Sequence, residues 1–140
     1  MFDVEICEDR QVVLVRFGSA FVMADLAALD RLATATSGAG PFDCIFDLTR
    51  VETFDIKPEF VAERGEIPQA YKNRQRFYVV TQEDLKLLVR LYVTYQANGG
   101  WRPPEIISTL DEALARLGVD RSAFRPLALE AIPDAQAQRS

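Results

Sequence analysis

The chain is organised around a short, nearly continuous run of apolar residues at positions 42–48. Only Asp43 and Asp47 interrupt this run. Such a run is typical of a strand that is buried on both faces of a sheet, with helices packed on each side. Asp47 stands near the carboxyl end of this strand, which in open α/β sheets faces the crevice where ligands and partners bind. We therefore expect the function to be displayed at that end.

The first residues of the chain alternate between apolar and polar, and a continuous apolar segment follows. Val4 and Ile6 alternate with acidic residues, whereas residues 12–17 are almost entirely apolar and rich in valine. These two segments, separated by a polar turn, predict a β-hairpin. The alternating, acidic first strand is typical of a sheet edge, and the continuous second strand is typical of a sheet interior.

A helical pattern connects the hairpin to the central strand. Residues spaced three and four apart recur at Val22, Leu26, Leu29, Ala33 and Thr36. Gly38 and Gly40 are expected to end this helix. A strand, a helix and a second strand in this order predict a right-handed parallel crossover.

A second helix is predicted after the polar turn at residues 49–55. Pro58 is typical of the first turn of a helix, and Asp55 is expected to cap that helix with its carboxylate. Gly65 and Pro68 lie inside the helical pattern. The helix should therefore be short, kinked or broken.

Two further strands are predicted at residues 77–80 and 106–107, each followed by a helix. Thr81 is expected to cap the third helix, and Ser108 or Thr109 the fourth. The sequence thus predicts a single-domain α/β fold with a mixed sheet of about five strands, the first one antiparallel, and about four helices. The predicted order of elements is ββαβαβαβα.

The third helix has an apolar surface too wide for one sheet to cover. One face consists of Leu85, Leu88, Val89, Tyr92 and Gln96. A second stripe consists of Leu87, Leu91 and Tyr95. Together the two stripes span an arc of about 240°, so a neighbouring helix or a second molecule should cover the part that the sheet leaves open. We expect the second stripe to lie in a homodimer interface, under a docked C-terminal tail, or along a pocket.

Composition bounds the class of protein. The chain has 140 residues, 49% of them hydrophobic, and a net charge of −5. We expect one domain at residues 1–118 and a tail at 119–140 that docks in part and is then disordered. The acidic balance argues against nucleic-acid binding, and the lack of a long apolar run predicts no integral membrane segment and a cytoplasmic location.

The residue inventory argues against an enzyme. The chain contains no histidine, which is the commonest general base and metal ligand. It also lacks the glycine-rich motifs that bind phosphate groups. No metal or cofactor is expected, and Cys7 and Cys44 are interpreted as buried structural thiols.

The order of elements and two short motifs resemble the STAS domains of bacterial anti-sigma-factor antagonists. Residues 44–51, CIFDLTRV, are similar to the family's strand that ends in Asp-Leu-Ser-x-Val, and Phe54-Asp55 is similar to the Asp before its regulatory serine. The resemblance covers roughly residues 2–118. It implies a non-enzymatic regulatory module that binds a protein partner, such as an anti-sigma factor or a kinase-like protein, or a second copy of itself.

The chain departs from this family at its regulatory site. Ile56 and Lys57 occupy the places of the phosphorylatable serine, so the usual phospho-switch is expected to be absent. Pro68 and the Gly-Gly-Trp-Arg-Pro-Pro loop at residues 99–104 also depart from the pattern. They suggest divergent STAS-like proteins, a group that is structurally close to the CRAL-TRIO lipid-binding domains.

Several candidate site residues follow. Expected partner-binding residues are Thr49, Thr53, Asp55, Ile56, Lys57 and Trp101. Asp47 and Asp55 are either a carboxylate pair or, as we favour, a turn acceptor and a helix cap. A basic group is either an anion site or a solvated face, and Trp101 either anchors a partner or covers the core. The basic group consists of Lys57, Arg64, Lys72, Arg74 and Arg76.

Two functions from different classes are therefore open. One is a STAS-like protein-interaction module, and the other is a carrier of a small molecule or lipid with an apolar pocket. A closed core with an apolar surface patch favours the first. An internal void of several hundred cubic ångströms favours the second.

Overall fold

The computed structural model of the chain describes residues 1–36 and 38–128. Its strands are β1 (Phe2–Cys7), β2 (Val12–Phe17), β3 (Ala20–Val22), β4 (Asp43–Asp47), β5 (Thr53–Asp55), β6 (Arg76–Val79), β7 (Glu105–Ile107) and β8 (Arg125–Leu127). Its helices are α1 (Met23–Thr36), α2 (Pro58–Gly65), α3 (Glu83–Asn98) and α4 (Leu110–Leu117). None of these helices is both long enough and apolar enough to span a membrane.

Six of the strands form one mixed sheet in the order β7-β6-β4-β2-β1-β8. Strands β2, β4, β6 and β7 are parallel, and β1 is antiparallel to both β2 and β8. The predicted mixed α/β fold with four helices is confirmed, but the predicted strand count is wrong. β8 joins the main sheet, while β3 and β5 form a separate two-stranded sheet.

β1 is not the edge strand that its alternation predicts. β8, from the predicted tail, pairs with it along Val4, Glu5 and Ile6. Glu5 of β1 is half-buried, and Arg121 binds its carboxylate with two nitrogens, at 2.8 and 2.7 Å. The acidic residue at this position therefore reflects an ion pair and not a free edge.

β4 is buried on both faces, as its continuous apolar pattern predicts. Ile45 faces the layer of α4, where it packs in a cluster with Phe77. Phe46 faces the opposite layer and stacks on Tyr78 of β6, with the ring centroids 4.7 Å apart. Helices α1, α2 and α3 cover this second face.

α2 supplies the cover that the wide apolar surface of α3 requires. α2 is short and ends before Pro68, as predicted, and it packs closely against α3. Leu91 belongs to the apolar cluster between the two helices, and Tyr95 lies directly against Gly65. Leu87 stays 61% exposed, and the described part of the C-terminal tail lies along β1 and not over α3.

The helix caps confirm one prediction and correct two. The Thr109 hydroxyl accepts a hydrogen bond from the Glu112 N–H at 3.1 Å, as expected of an N-cap. Thr81 does not cap α3, because that helix begins one residue later and its N-cap position is Gln82. Asp55 does not cap α2, because Asp55 is held in β5 opposite Val22 and the N-cap position is Lys57.

Candidate functional site

Asp47 is a buried structural carboxylate at the carboxyl end of β4. It is 2% exposed, and one oxygen accepts bonds from the Thr49 backbone N–H at 3.0 Å and the Thr49 hydroxyl at 2.7 Å. The other oxygen lies 3.1 Å from Nε of Arg16. The predicted acceptor role in the turn is confirmed. The register that places Arg16 beside Asp47 on neighbouring parallel strands supplies the partner.

Asp47 and Asp55 lie in different surroundings. Asp47 is buried and paired with Arg16, while Asp55 is exposed on β5. Among the residues that the structure describes, no group of three or more His, Cys, Asp and Glu side chains could hold a metal ion. Asp47 thus has the turn-acceptor role that we favoured over a carboxylate pair.

The turn predicted to bind a partner has both exposed and buried members. Thr49, Thr53, Asp55 and Lys57 are exposed. Ile56 is 6% exposed and packs with the core cluster between α1 and α2, so its side chain cannot reach a partner.

Trp101 is half-buried against its own loop. Its ring lies on Gly99, so closely that a Cβ on that residue would overlap the ring. Its backbone N–H donates to the Gln96 carbonyl at 3.2 Å. Trp101 thus covers the C-terminal end of α3, with part of the ring left in solvent.

A cavity of about 360 Å³ lies between the sheet and the helical layer. Inward-facing side chains of β2, β4 and β6 form its floor, α1 forms one wall, and Tyr92 of α3 borders it. The connection between α2 and β6 forms its roof. The residues of the floor are Val13, Val15, Cys44, Phe46, Arg76 and Tyr78. Leu87, Leu91 and Tyr95, predicted for a pocket or a dimer interface, do not line it.

Tyr71 holds the roof to α1. Its hydroxyl lies 2.6 Å from the Thr36 hydroxyl, and its ring packs edge-on against Phe42 with the centroids 5.7 Å apart. The ring also lies against Gly40, at a position where a Cβ would overlap it. One side chain thus joins an irregular connection to the C-terminal end of α1.

A second, smaller chamber of about 70 Å³ adjoins the cavity. The two share Leu29, Arg64, Tyr78 and Tyr92 in their linings. The remaining lining of the smaller chamber is apolar and comes from Phe17, Phe21, Leu26, Leu48, Ile56, Val61, Leu85, Leu88 and Val89. A larger cavity with several polar groups in its lining and a smaller apolar chamber therefore lie side by side next to the helical layer.

The predicted basic group does not assemble as one anion site. Arg64 forms two bonds with Asp30, at 3.1 and 3.0 Å, and Arg74 forms two with Asp43, both at 3.1 Å. Lys57 and Lys72 are exposed and do not line the cavity. Arg76 is the remaining member.

Arg76 lies on the cavity floor, and no carboxylate of residues 1–36 or 38–128 pairs with it. One terminal nitrogen donates to the Tyr92 hydroxyl at 3.1 Å, and the other donates to the Arg102 carbonyl at 2.6 Å. Its Nε is buried and has no hydrogen-bond partner in the described structure. The sequence signal for this feature is an arginine at an inward-facing strand position, two residues before Tyr78.

The Cys44 thiol and the Tyr78 hydroxyl on the cavity floor are neutral at physiological pH. Burial raises the pKa of the Cys44 thiol to about 12, despite the opposing effect of Arg76. Burial also raises the pKa of the Tyr78 hydroxyl well above its usual value. Cys44 and Tyr78 therefore offer neutral hydrogen-bonding groups, and Cys44 is not a thiolate nucleophile.

Comparison with known proteins adds no family assignment. No model of a known protein family matches the chain, and no curated protein is significantly similar to it. The resemblance to STAS domains rests on the order of elements and the short motifs, and it remains a prediction.

Proposed function

We propose that this protein binds a small, largely apolar molecule in the cavity between its sheet and helices α1 to α3. The observation that supports this proposal is the cavity of about 360 Å³, which falls within the range of ligand pockets in proteins. Most of the lining surface is apolar, and its polar groups come from tyrosine, arginine and threonine residues and from Asp30 and Gln69. Such a surface buries an apolar ligand and orients it through polar contacts.

The proposed role is binding and not catalysis. The buried carboxylate at Asp47 is held by Arg16 and Thr49, and burial keeps the Cys44 thiol protonated. An activated nucleophile needs a pKa near the working pH, and the Cys44 thiol, whose pKa burial raises to about 12, does not meet this requirement. We propose a non-enzymatic carrier or ligand-responsive module that works in the cytoplasm.

A neutral fluorescent probe tests whether the cavity binds ligands. We expect 1-aminonaphthalene to bind the full chain with a blue-shifted, enhanced emission. Ala33 of α1 lines the cavity, so Ala33→Phe should fill part of it and weaken this binding at least about tenfold, since one lost ring contact is worth a few kcal/mol.

Ala27→Phe is the matched control, because Ala27 lies on the same helix but is exposed. This variant should bind the probe as the wild type does. If wild type and both variants bind equally, the probe does not occupy this cavity and the evidence for the proposal is lost.

Native mass spectrometry of protein purified from its own host tests the proposal without a chosen probe. We expect a fraction of the chain to carry an additional small mass that is lost on denaturation. A chain mass with no small-molecule adduct, together with no binding of 1-aminonaphthalene, would contradict the proposed function.

A second candidate function is the STAS-like protein-interaction module. One observation supports it: Asp55 and Lys57 are exposed beside Thr53, and neither charged side chain has an ion-pair partner within the described residues. This surface lies near the carboxyl ends of the parallel strands, where ligands and partners of open sheets bind. Unpaired surface charges suit a partner of complementary charge pattern.

The same mass spectra test this second function. A complex with a second polypeptide, or with a second copy of the chain, would support it if Asp55→Arg removes the complex. Asp9→Arg, at an exposed turn between β1 and β2, is the control and should leave the complex intact. A complex that survives Asp55→Arg would not involve this turn.

A further inference from the structure

Arg76 differs from the other partly buried arginines in the described residues. There are five such arginines, and four of them lie within 3.1 Å of a carboxylate oxygen: Arg16 to Asp47, Arg64 to Asp30, Arg74 to Asp43 and Arg121 to Glu5. Arg76 has no carboxylate partner and keeps a buried Nε unpaired. A partly buried charge without a counter-charge is unfavourable, so a missing anion would explain its position.

The neighbours of Arg76 cannot supply that anion. Asp43, next to its cross-strand partner Cys44, is bound to Arg74, and Glu105 on the adjacent strand is bound to Arg116. The Cys44 thiol itself stays protonated, since burial raises its pKa to about 12. The charge of Arg76 is therefore free to interact with a ligand in the cavity.

The Tyr92 hydroxyl provides a second donor beside Arg76. Because that hydroxyl accepts a bond from Arg76, its own proton remains available for an acceptor in the cavity. Tyr92 also lines the apolar chamber. A ligand with an anionic group at Arg76 and Tyr92 would thus extend its apolar part along Phe46 and Tyr78.

The charge and volume of the cavity define the ligand class. A single guanidinium without a counter-charge matches one negative charge, and a carboxylate can accept hydrogen bonds from the unpaired Nε–H of Arg76 and from the Tyr92 hydroxyl. At about 30 Å³ per atom, the volume of a water molecule in the liquid, the cavity holds on the order of a dozen heavy atoms. Within the proposed function, on which this inference rests, we propose that the ligand is an apolar monocarboxylate of this size, bound through Arg76 and Tyr92.

Matched acids and alcohols test this inference on the full chain. Decanoate and 1-decanol differ chiefly in charge, and 4-phenylbutanoate and 4-phenylbutan-1-ol repeat the comparison with a ring. Isothermal titration calorimetry should show that at least one acid binds about tenfold or more tightly than its alcohol, because a hydrogen bond to a charged group adds that much.

Arg76→Gln should remove this preference. We expect its affinity for the preferred acid to fall about 10- to 150-fold, while its affinity for the alcohol stays within about threefold of wild type. Arg76→Lys keeps the charge and should retain part of the preference. Arg90→Gln, at an exposed arginine of α3, is the control and should behave as wild type.

The possible outcomes separate this inference from the proposed function. If each alcohol binds as tightly as its acid, or if Arg76→Gln leaves the acid preference unchanged in a chain that unfolds cooperatively, the inference is wrong and the proposed function stands. If no acid or alcohol binds and 1-aminonaphthalene also fails to bind, the proposed function itself is wrong.

Discussion

Gly65 of α2 packs directly against Tyr95 of α3, and its replacement by alanine would have two opposing effects on stability. In a helix, alanine is more favourable than glycine by about 1 kcal/mol, because glycine loses more backbone entropy on folding. At Gly65, however, a Cβ would overlap Cβ of Tyr95 and lie 3.3 Å from Cγ of that residue. The packing effect and the propensity effect therefore have opposite signs.

The structure indicates that the packing effect is larger. A Cβ atom is fixed to the backbone, so no rotation of Tyr95 relieves the overlap and the two helices must move apart. Overpacking of this kind costs about 1–3 kcal/mol. Separation would also weaken the bonds that the buried Gln96 amide donates to the Gly65 and Ile67 carbonyls, at 2.8 and 2.7 Å. These bonds are worth about 1 kcal/mol each. After subtraction of the propensity gain, we expect Gly65→Ala to destabilise the protein by about 2 kcal/mol.

Urea unfolding followed by circular dichroism measures this change. Gly38→Ala is the matched control, because a Cβ at Gly38 would have no neighbour within 4 Å. That variant should be as stable as wild type or up to about 1 kcal/mol more stable. If Gly65→Ala were equally stable, with an unchanged dependence on urea, the close packing of α2 on α3 would be refuted.

Three further predictions concern single groups. Thr109→Ala should cost about 1 kcal/mol of stability in urea melts, because it removes the cap of α4. Asp55→Ala removes no helix cap and should cost less than about 0.5 kcal/mol. An equal loss in the two variants would contradict the cap assignments. Asp47→Ala should cost about 3 kcal/mol or more in the same assay, because it leaves Arg16 and two Thr49 donors without their acceptor, and a loss under 1 kcal/mol would count against this role. The free energy of unfolding should fall as pH rises above 9.0. The reason is that Cys44 ionises there in the unfolded chain, while burial keeps its proton in the folded chain until about pH 12. Cys44 alone should contribute a slope that approaches about 1.4 kcal/mol per pH unit. Cys44→Ala should reduce that slope, and an unchanged slope would exclude Cys44 as the cause.

Periodic segments of the sequence predict most of the fold. The continuous apolar runs at β2 and β4 and the arc of α3 are local patterns, and local patterns determine which face of an element is buried. β8 has no such pattern, since Arg125, Pro126 and Leu127 become a strand only through pairing with β1. The formation of β8 depends on tertiary pairing, which local sequence patterns do not predict.

The candidate site was only partly predictable for a similar reason. The sequence shows Arg64, Arg74 and Arg76 close together, but pairing with distant carboxylates decides which of them is neutralised. Asp30 and Asp43 lie more than thirty positions away from Arg64 and Arg74, respectively. The cap predicted for Asp55 failed in the same way, because pairing of β5 with β3 holds that residue in an extended strand.

The position of β8 affects how the molecule meets other copies of itself. A strand at a sheet edge offers unpaired N–H and C=O groups to any other chain, and a long edge promotes aggregation. β8 replaces the six-residue edge of β1 with a three-residue edge that contains Pro126, which has no N–H to donate. A chain cut after Gly118 would expose Val4 and Ile6 along an open edge. β8 therefore shortens the edge that this side of the main sheet offers to other chains.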